Sequence, residues 1–174
     1  MKMIQNILAI VSLFITTSVL ADMPKVGDIA PPFQGVDQNG TVVKSSDLIG
    51  KKIVLLYFYP KDFTGGCTAE ACGFRDRMGD LQKDNVKVIG VSFDTTATHQ
   101  AFVAKYKLNF SLLPDSDGKL ADAYGTRISG KDLAHRISFL IGLDGKIVHV
   151  TNSGKPQAHF DEMKAAIATL QKPM

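Results

Sequence analysis

Cysteine is scarce in this sequence, in which Cys67 and Cys72 are the only two among 174 residues. A structural zinc site takes four cysteine or histidine ligands, often in closely spaced pairs. The histidines are scattered and show no such spacing: His99, His135, His149 and His159. We therefore predict no metal site, and nothing else in the sequence implies a cofactor.

Concentrated charge of one sign is also lacking. The formal net charge is +3, and the longest basic stretches are pairs such as Lys51-Lys52. That is too little to indicate a surface for nucleic acid, which needs a clustered basic footprint. The chain has neither a glycine-rich phosphate loop nor an internal repeat with a period of about 20–50 residues. Nucleic acid is therefore not expected among the partners.

Residues 1–21 differ in composition from the rest of the chain. Lys2 is followed by an apolar run from Ile4 to Leu20, and small residues precede the Ala21–Asp22 bond. This layout is typical of a secretory signal peptide, so we expect cleavage after residue 21, an exported or periplasmic protein and one domain over 22–174. The alternative is a permanent membrane anchor at residues 4–20, although that run is barely long enough to span about 30 Å of hydrocarbon.

Export would place both cysteines in an oxidising compartment, where a structural disulfide is one possible interpretation. A bond between Cys67 and Cys72 would close a loop of only a few residues. Such a short loop restricts the unfolded chain little, and a domain of this size can build an adequate hydrophobic core without it. We therefore interpret the pair as redox-active.

The hydrophobic pattern predicts an α/β protein. Ile53–Tyr59 is an unbroken apolar run, as in a strand buried on both faces, and Val86–Phe93 is predicted to be a second buried strand. Asn39-Gly40 marks an N-terminal hairpin. Helices are expected over 67–83, 96–107 and 156–170, and a second hairpin over 137–150. We predict a central mixed β-sheet flanked by helices, similar to the thioredoxin fold with an N-terminal hairpin extension.

Cys67 lies between the predicted strand that ends at Tyr59 and the helix that follows. Backbone N–H groups and the positive end of the helix dipole favour the thiolate there. The glycines before it allow a small substrate to approach, and the N–H groups of Gly66 and Cys67 can cradle an oxygen. Thr64 is placed to hydrogen-bond the sulfur or a peroxide. The pattern is suited to attack on a hydroperoxide.

Cys72 follows Cys67 by five residues. On a regular helix this offset separates the two Cα atoms by about 8.5 Å. A disulfide tolerates at most about 7 Å between Cα atoms, so a bond between them requires the first helical turn to unwind. The alternative interpretation is that Cys72 is merely a small buried residue.

The spacing Pro60-x-x-x-Thr64-x-x-Cys67 resembles the active-site motif of the peroxiredoxin family. The wider stretches 58–62, 67–76 and 136–141 are similar to the bacterioferritin-comigratory, or PrxQ, subgroup. The resemblance implies that Cys67 is the peroxidatic cysteine and Cys72 the resolving cysteine. It also implies that Arg136 is the active-site arginine, that Thr64 orients the peroxide and that Pro60 shields the sulfur.

On this resemblance we expect a thiol peroxidase that reduces hydrogen peroxide or organic hydroperoxides and is recycled by a thioredoxin-like dithiol protein. The subgroup suggests a monomer. Two alternatives stay open: an exported thioredoxin-like disulfide oxidoreductase, and a non-enzymatic redox sensor or metal-binding module. From the residues alone Arg136 could be an ordinary surface arginine, and Glu70 could either cap the helix or tune the site.

Overall fold

The computed structural model describes residues 22–171, so the predicted signal peptide lies outside the described residues. The strands are β1 Gln34–Val36, β2 Val42–Lys44, β3 Ile53–Phe58, β4 Val86–Ser92, β5 Ser111–Pro114, β6 Ile137–Ile141 and β7 Ile147–Asn152. The helices are α1 Ser45–Leu48, α2 Gly65–Lys83, α3 Thr96–Tyr106, α4 Lys119–Ala123 and α5 Pro156–Leu170. Across residues 22–171, none of these helices has the length and apolar character of a membrane span.

The central sheet has five strands in the order β5-β4-β3-β6-β7. β3 pairs in parallel with β4 and antiparallel with β6, so the sheet is mixed. β1 and β2 form a separate antiparallel hairpin around the Asn39-Gly40 turn. The predicted mixed sheet and N-terminal hairpin are therefore confirmed.

β3 is buried on both faces, as its unbroken apolar sequence predicts. Leu55 and Tyr57 point into a core cluster that contains side chains of α2 and α5. Val54, Leu56 and Phe58 point the other way, into a cluster with residues of α4 and β6. Helices thus cover both faces, and the carboxyl end of β3 opens toward the N-terminus of α2.

α2 begins at Gly65, two residues earlier than the sequence predicts. Thr64 occupies the N-cap position with extended backbone angles, and its carbonyl accepts the Thr68 N–H at 2.8 Å. The two glycines are helical here although glycine is a poor helix former, which is why the sequence pattern placed the boundary later. The earlier start makes Cys67 the third helical residue.

Candidate active site

Cys67 lies in the first turn of α2, where backbone N–H groups have no partner within the helix. Its side chain is 2% exposed and belongs to the core cluster that contains Tyr57 and Phe74. The partial positive charge of the helix N-terminus favours a thiolate over a thiol at this position. The sulfur is thus shielded from bulk water and lies at the positive end of the helix dipole.

Arg136 reaches the same sulfur from a different part of the chain. It immediately precedes β6, whose Ile137 pairs with Phe58 at the end of β3. This register places Arg136 beside the loop that leads to Cys67, and its Nη2 donates to Cys67 Sγ at 3.2 Å. Its side chain is only 10% exposed, so the interpretation as an ordinary surface arginine is wrong.

Glu70 lies behind the guanidinium, one turn after Cys67. Its side chain is fully buried, and Arg136 Nη1 donates to its Oε2. Burial raises the pKa of Glu70 to about 7, although the neighbouring Arg136 lowers it. Because its oxygen binds Arg136 and Glu70 lies beyond the capping position, the capping interpretation is wrong and Glu70 belongs to the site.

His159 of α5 completes this buried group, although no sequence pattern points to it. Its Nδ1 lies 3.5 Å from Glu70 Oε1 and 2.7 Å from Ser138 Oγ. Its Nε2 lies 2.9 Å from the Ser153 carbonyl oxygen, which can only accept, so Nε2 is the donor. Burial lowers the pKa of His159, and the positive charge of Arg136 acts in the same direction.

Three other predicted site residues, Thr64, Gly66 and Pro60, precede Cys67 closely in the chain. The exposed Thr64 hydroxyl donates to the Lys61 carbonyl at 3.0 Å, and within residues 22–171 it makes no bond to the sulfur. A Cβ on Gly66 would lie 3.0 Å from Arg136 Nη2, so the lack of a side chain there lets the guanidinium approach. Pro60 is half-buried and lies two residues after the end of β3.

Cys72 is half-buried on the same helix, and both thiols are free. α2 is continuous from Gly65 to Lys83, so the two cysteines are on one helical segment. By helix geometry their Cα atoms are about 8.5 Å apart, beyond the reach of a disulfide. The described form therefore has Cys67 facing Arg136 and separated from Cys72.

A buried helix-N-terminal cysteine held against an arginine, on a thioredoxin-like fold, defines the class of thiol-dependent redox enzymes. The family model of the AhpC/TSA family matches residues 26–150, and the chain belongs to this family.

Peroxiredoxin Bcp of Escherichia coli (strain K12) is 46% identical over 143 residues, which cover 79% of this chain and 91% of the relative. The chloroplastic peroxiredoxin Q of Sedum lineare is 36% identical over 162 residues, 88% of this chain and 83% of the relative. The crystal structure of peroxidoxin BcpB from Mycobacterium tuberculosis superposes with a TM-score of 0.80 at 31% identity, covering 86% of this chain and 99% of that one. The chain is accordingly a thiol-dependent peroxidase of the peroxiredoxin type, and the predicted thioredoxin-like fold is confirmed.

Proposed function

We propose that Cys67 is the peroxidatic residue and that its thiolate attacks one oxygen of a hydroperoxide. The observation that carries this assignment is the 3.2 Å contact between Arg136 Nη2 and Cys67 Sγ at the N-terminus of α2. In this step an S–O bond forms and the O–O bond breaks. Cys67 becomes a sulfenic acid, and the departing oxygen takes a proton to leave as water or an alcohol.

Arg136 has two tasks in this step. Its positive charge stabilises the thiolate before attack, and its N–H groups stabilise the negative charge that develops on the departing oxygen. Gly66 allows the close approach of both the guanidinium and the substrate. The Thr64 hydroxyl, which now donates to Lys61, would rotate to orient the peroxide, and Pro60 would help to shield the sulfur from water.

Cys72 resolves the sulfenic acid in the second step. Its thiolate attacks the sulfur of Cys67, an S–S bond forms, and the sulfenic oxygen leaves as water after it is protonated. This attack requires the first turn of α2 to unwind, because the helix holds the two cysteines about 8.5 Å apart. The proposed cycle thus alternates between a helical form that reacts with peroxide and a locally unwound form that closes the disulfide.

An external dithiol protein of the thioredoxin type would return the disulfide to two thiols. Hydrogen peroxide and organic hydroperoxides are the proposed substrates, and a monomer is the proposed working unit. The composition of residues 1–21 supports export to the periplasm by a cleaved signal, with anchoring by residues 4–20 as the alternative. On this proposal the chain meets the membrane only through that segment.

The chemistry is tested by adding hydrogen peroxide to the reduced protein without any other reductant. We expect one peroxide to be consumed per chain, with loss of both free thiols. The Cys67→Ser variant should consume none, and equal consumption by that variant would overturn the assignment. For the location, N-terminal sequencing of the protein from a periplasmic fraction should begin at Asp22.

A further inference from the structure

A second buried polar cluster lies beneath the loop that leads to Cys67, and the proposed chemistry does not use it. It consists of Asp62, His99 and Tyr59, of which Asp62 is 3% exposed and His99 fully buried. One carboxylate oxygen of Asp62 accepts the Tyr59 hydroxyl at 2.8 Å. The other lies 2.8 Å from His99 Nδ1. Both carboxylate oxygens of Asp62 are thus bound by side chains, one from the first residue of the loop and one from α3.

The hydrogen-bond partners determine which His99 nitrogen carries the proton toward Asp62. A carboxylate oxygen can only accept, so Nδ1 is the donor in this contact. His99 Nε2 is buried and has no hydrogen-bond partner among the described residues. The single polar contact of the imidazole is therefore the one to Asp62, and it joins α3 to the loop.

The backbone of the same loop is tied to the end of β4. The Asp62 N–H donates to Asp94 Oδ2 at 2.8 Å, and the Ser92 hydroxyl donates to the same oxygen at 2.7 Å. Asp62 therefore ties the loop to α3 through its side chain and to Asp94, just after β4, through its backbone N–H. With its side chain and its backbone N–H together, Asp62 makes three hydrogen bonds.

The hydrogen bonds of Asp62 hold the loop backbone in a conformation that is unfavourable on its own. Phe63, the next residue, has a φ of +62°, a left-handed conformation that is unfavourable for a residue with a Cβ. Its ring packs edge-on against Phe102 of α3 with the ring centres 5.1 Å apart. Thr64, the N-cap of α2, follows Phe63 directly. A movement of the loop therefore also moves the first turn of α2.

We propose that Asp62 and His99 are positioning residues that latch the loop 59–64 to α3 and thereby hold the first turn of α2 in its helical form. The inference rests on the proposed function, because it concerns the two forms of that cycle. Attack on peroxide needs the helical form, in which Cys67 meets Arg136. Disulfide formation needs the unwound form. A weaker latch therefore slows the first step and accelerates the second.

The test compares His99→Leu with His99→Asn. Leucine fills much of the same space without a donor, whereas the asparagine side-chain nitrogen can occupy the place of Nδ1 and keep the bond to Asp62. We expect the rate of peroxide attack to fall about tenfold in His99→Leu, with faster disulfide formation, and to return close to the wild-type rate in His99→Asn. Both steps can be followed by rapid quenching and intact-protein mass spectrometry.

Amide hydrogen exchange of the reduced protein tests the latch without peroxide. Residues 65–70 should exchange faster in His99→Leu than in the wild type and in His99→Asn. Tyr59→Phe removes a single hydroxyl from the cluster. It should change amide exchange, the rate of peroxide attack and the rate of disulfide formation in the same directions as His99→Leu, but by a smaller factor. This variant replaces His99→Leu in the test if the latter fails to fold.

Unchanged exchange at residues 65–70, or a fall of both rates together, would overturn the latch. Failure of the wild-type protein to consume peroxide would overturn the proposed chemistry instead, and the exchange experiment would still decide whether the latch holds the helix.

Discussion

Cys67 and Cys72 are on the same helix, five residues apart, yet their surroundings differ in every respect that affects thiol chemistry. Cys67 is in the first turn, where the helix dipole and unpaired N–H groups favour an anion, and it contacts Arg136. Cys72 lies beyond the first turn, where the backbone N–H groups are already bonded within the helix. Position along the helix is therefore one source of the difference between the two thiols.

The cations near the two cysteines differ in the same way. Arg136 directs one nitrogen at the Cys67 sulfur and another at Glu70. Arg75, one turn after Cys72, instead donates to the Tyr106 carbonyl at 2.6 Å and to Asp76. On the proposed mechanism, reactivity toward peroxide requires a guanidinium held at the sulfur, and in the described residues that contact is made at Cys67 by Arg136.

Arg136→Met should have the largest effect on peroxide attack. The variant keeps a long side chain but loses both the charge that favours the thiolate and the donors for the departing oxygen. Loss of one such donor typically costs about 10²–10³-fold in rate, and we expect a fall in that range. Initial rates of peroxide consumption measure it. Arg75→Met is the matched control near Cys72, and an equal fall there would contradict the proposed role of Arg136.

Glu70→Gln should change how stability depends on pH. Because burial raises the pKa of Glu70 from 4.5 to about 7, folding favours its protonated form. The wild type therefore loses stability as the pH rises through the window from about 4.5 to about 7. At about 1.4 kcal/mol per pH unit, this loss amounts to about 3 kcal/mol.

The glutamine variant should lack that loss, because it cannot ionise. Urea unfolding of both proteins at pH 4 and pH 8 gives the difference in the free energy of unfolding. Glu162→Gln is the control, since hydrogen bonds from Thr151 and His149 lower the pKa of that exposed carboxylate. The same pH slope in wild type and Glu70→Gln would show that Glu70 does not titrate in this window.

Gly66→Ala should reduce the rate of attack by a smaller factor, about tenfold or less. The new Cβ would lie 3.0 Å from Arg136 Nη2, so the guanidinium must move by a few tenths of an ångström. Small displacements of a catalytic group commonly cost rate without loss of fold. Gly65→Ala is the control, because a Cβ there meets no atom within 4 Å. Equal rates for the two variants would mean that the guanidinium needs no clearance at Gly66.

Cys72→Ser should have the smallest effect on the first step, with a change in the rate of attack of about twofold or less. The substitution leaves Cys67, Arg136 and the first turn of α2 in place. Its consequence lies in the second step, where no intramolecular disulfide can form and the Cys67 sulfenic acid should accumulate. Trapping with a sulfenic-acid reagent and mass spectrometry would detect it. This variant cannot form a disulfide within one chain. Absence of the trapped sulfenic-acid adduct would therefore contradict the assignment of Cys67 as the residue that peroxide oxidises.

Local sequence patterns predict much of the fold. The bounds of α5 coincide with the predicted helix over 156–170, because Pro156 marks its first residue. Glycine propensity argues against a helix at Gly65, so the sequence predicts the start of α2 two residues late. In the site, the motif and its family resemblance imply the residues around Cys67 and Arg136, whereas the sequence leaves two roles open for Glu70 and does not point to His159.

The sequence by itself determined the order of strands and helices and the position of Cys67 after a buried strand. Those features depend on residues within a turn or a strand of one another, and local propensity carries that information. Only the tertiary structure decided which side chains meet at the sulfur. Arg136 and Glu70 are 66 residues apart in the chain and come together through the register of β3 with β6. His99 and Asp62, 37 residues apart, meet because α3 packs beneath the loop. Long-range packing, which no local pattern encodes, makes the difference between Cys67 and Cys72.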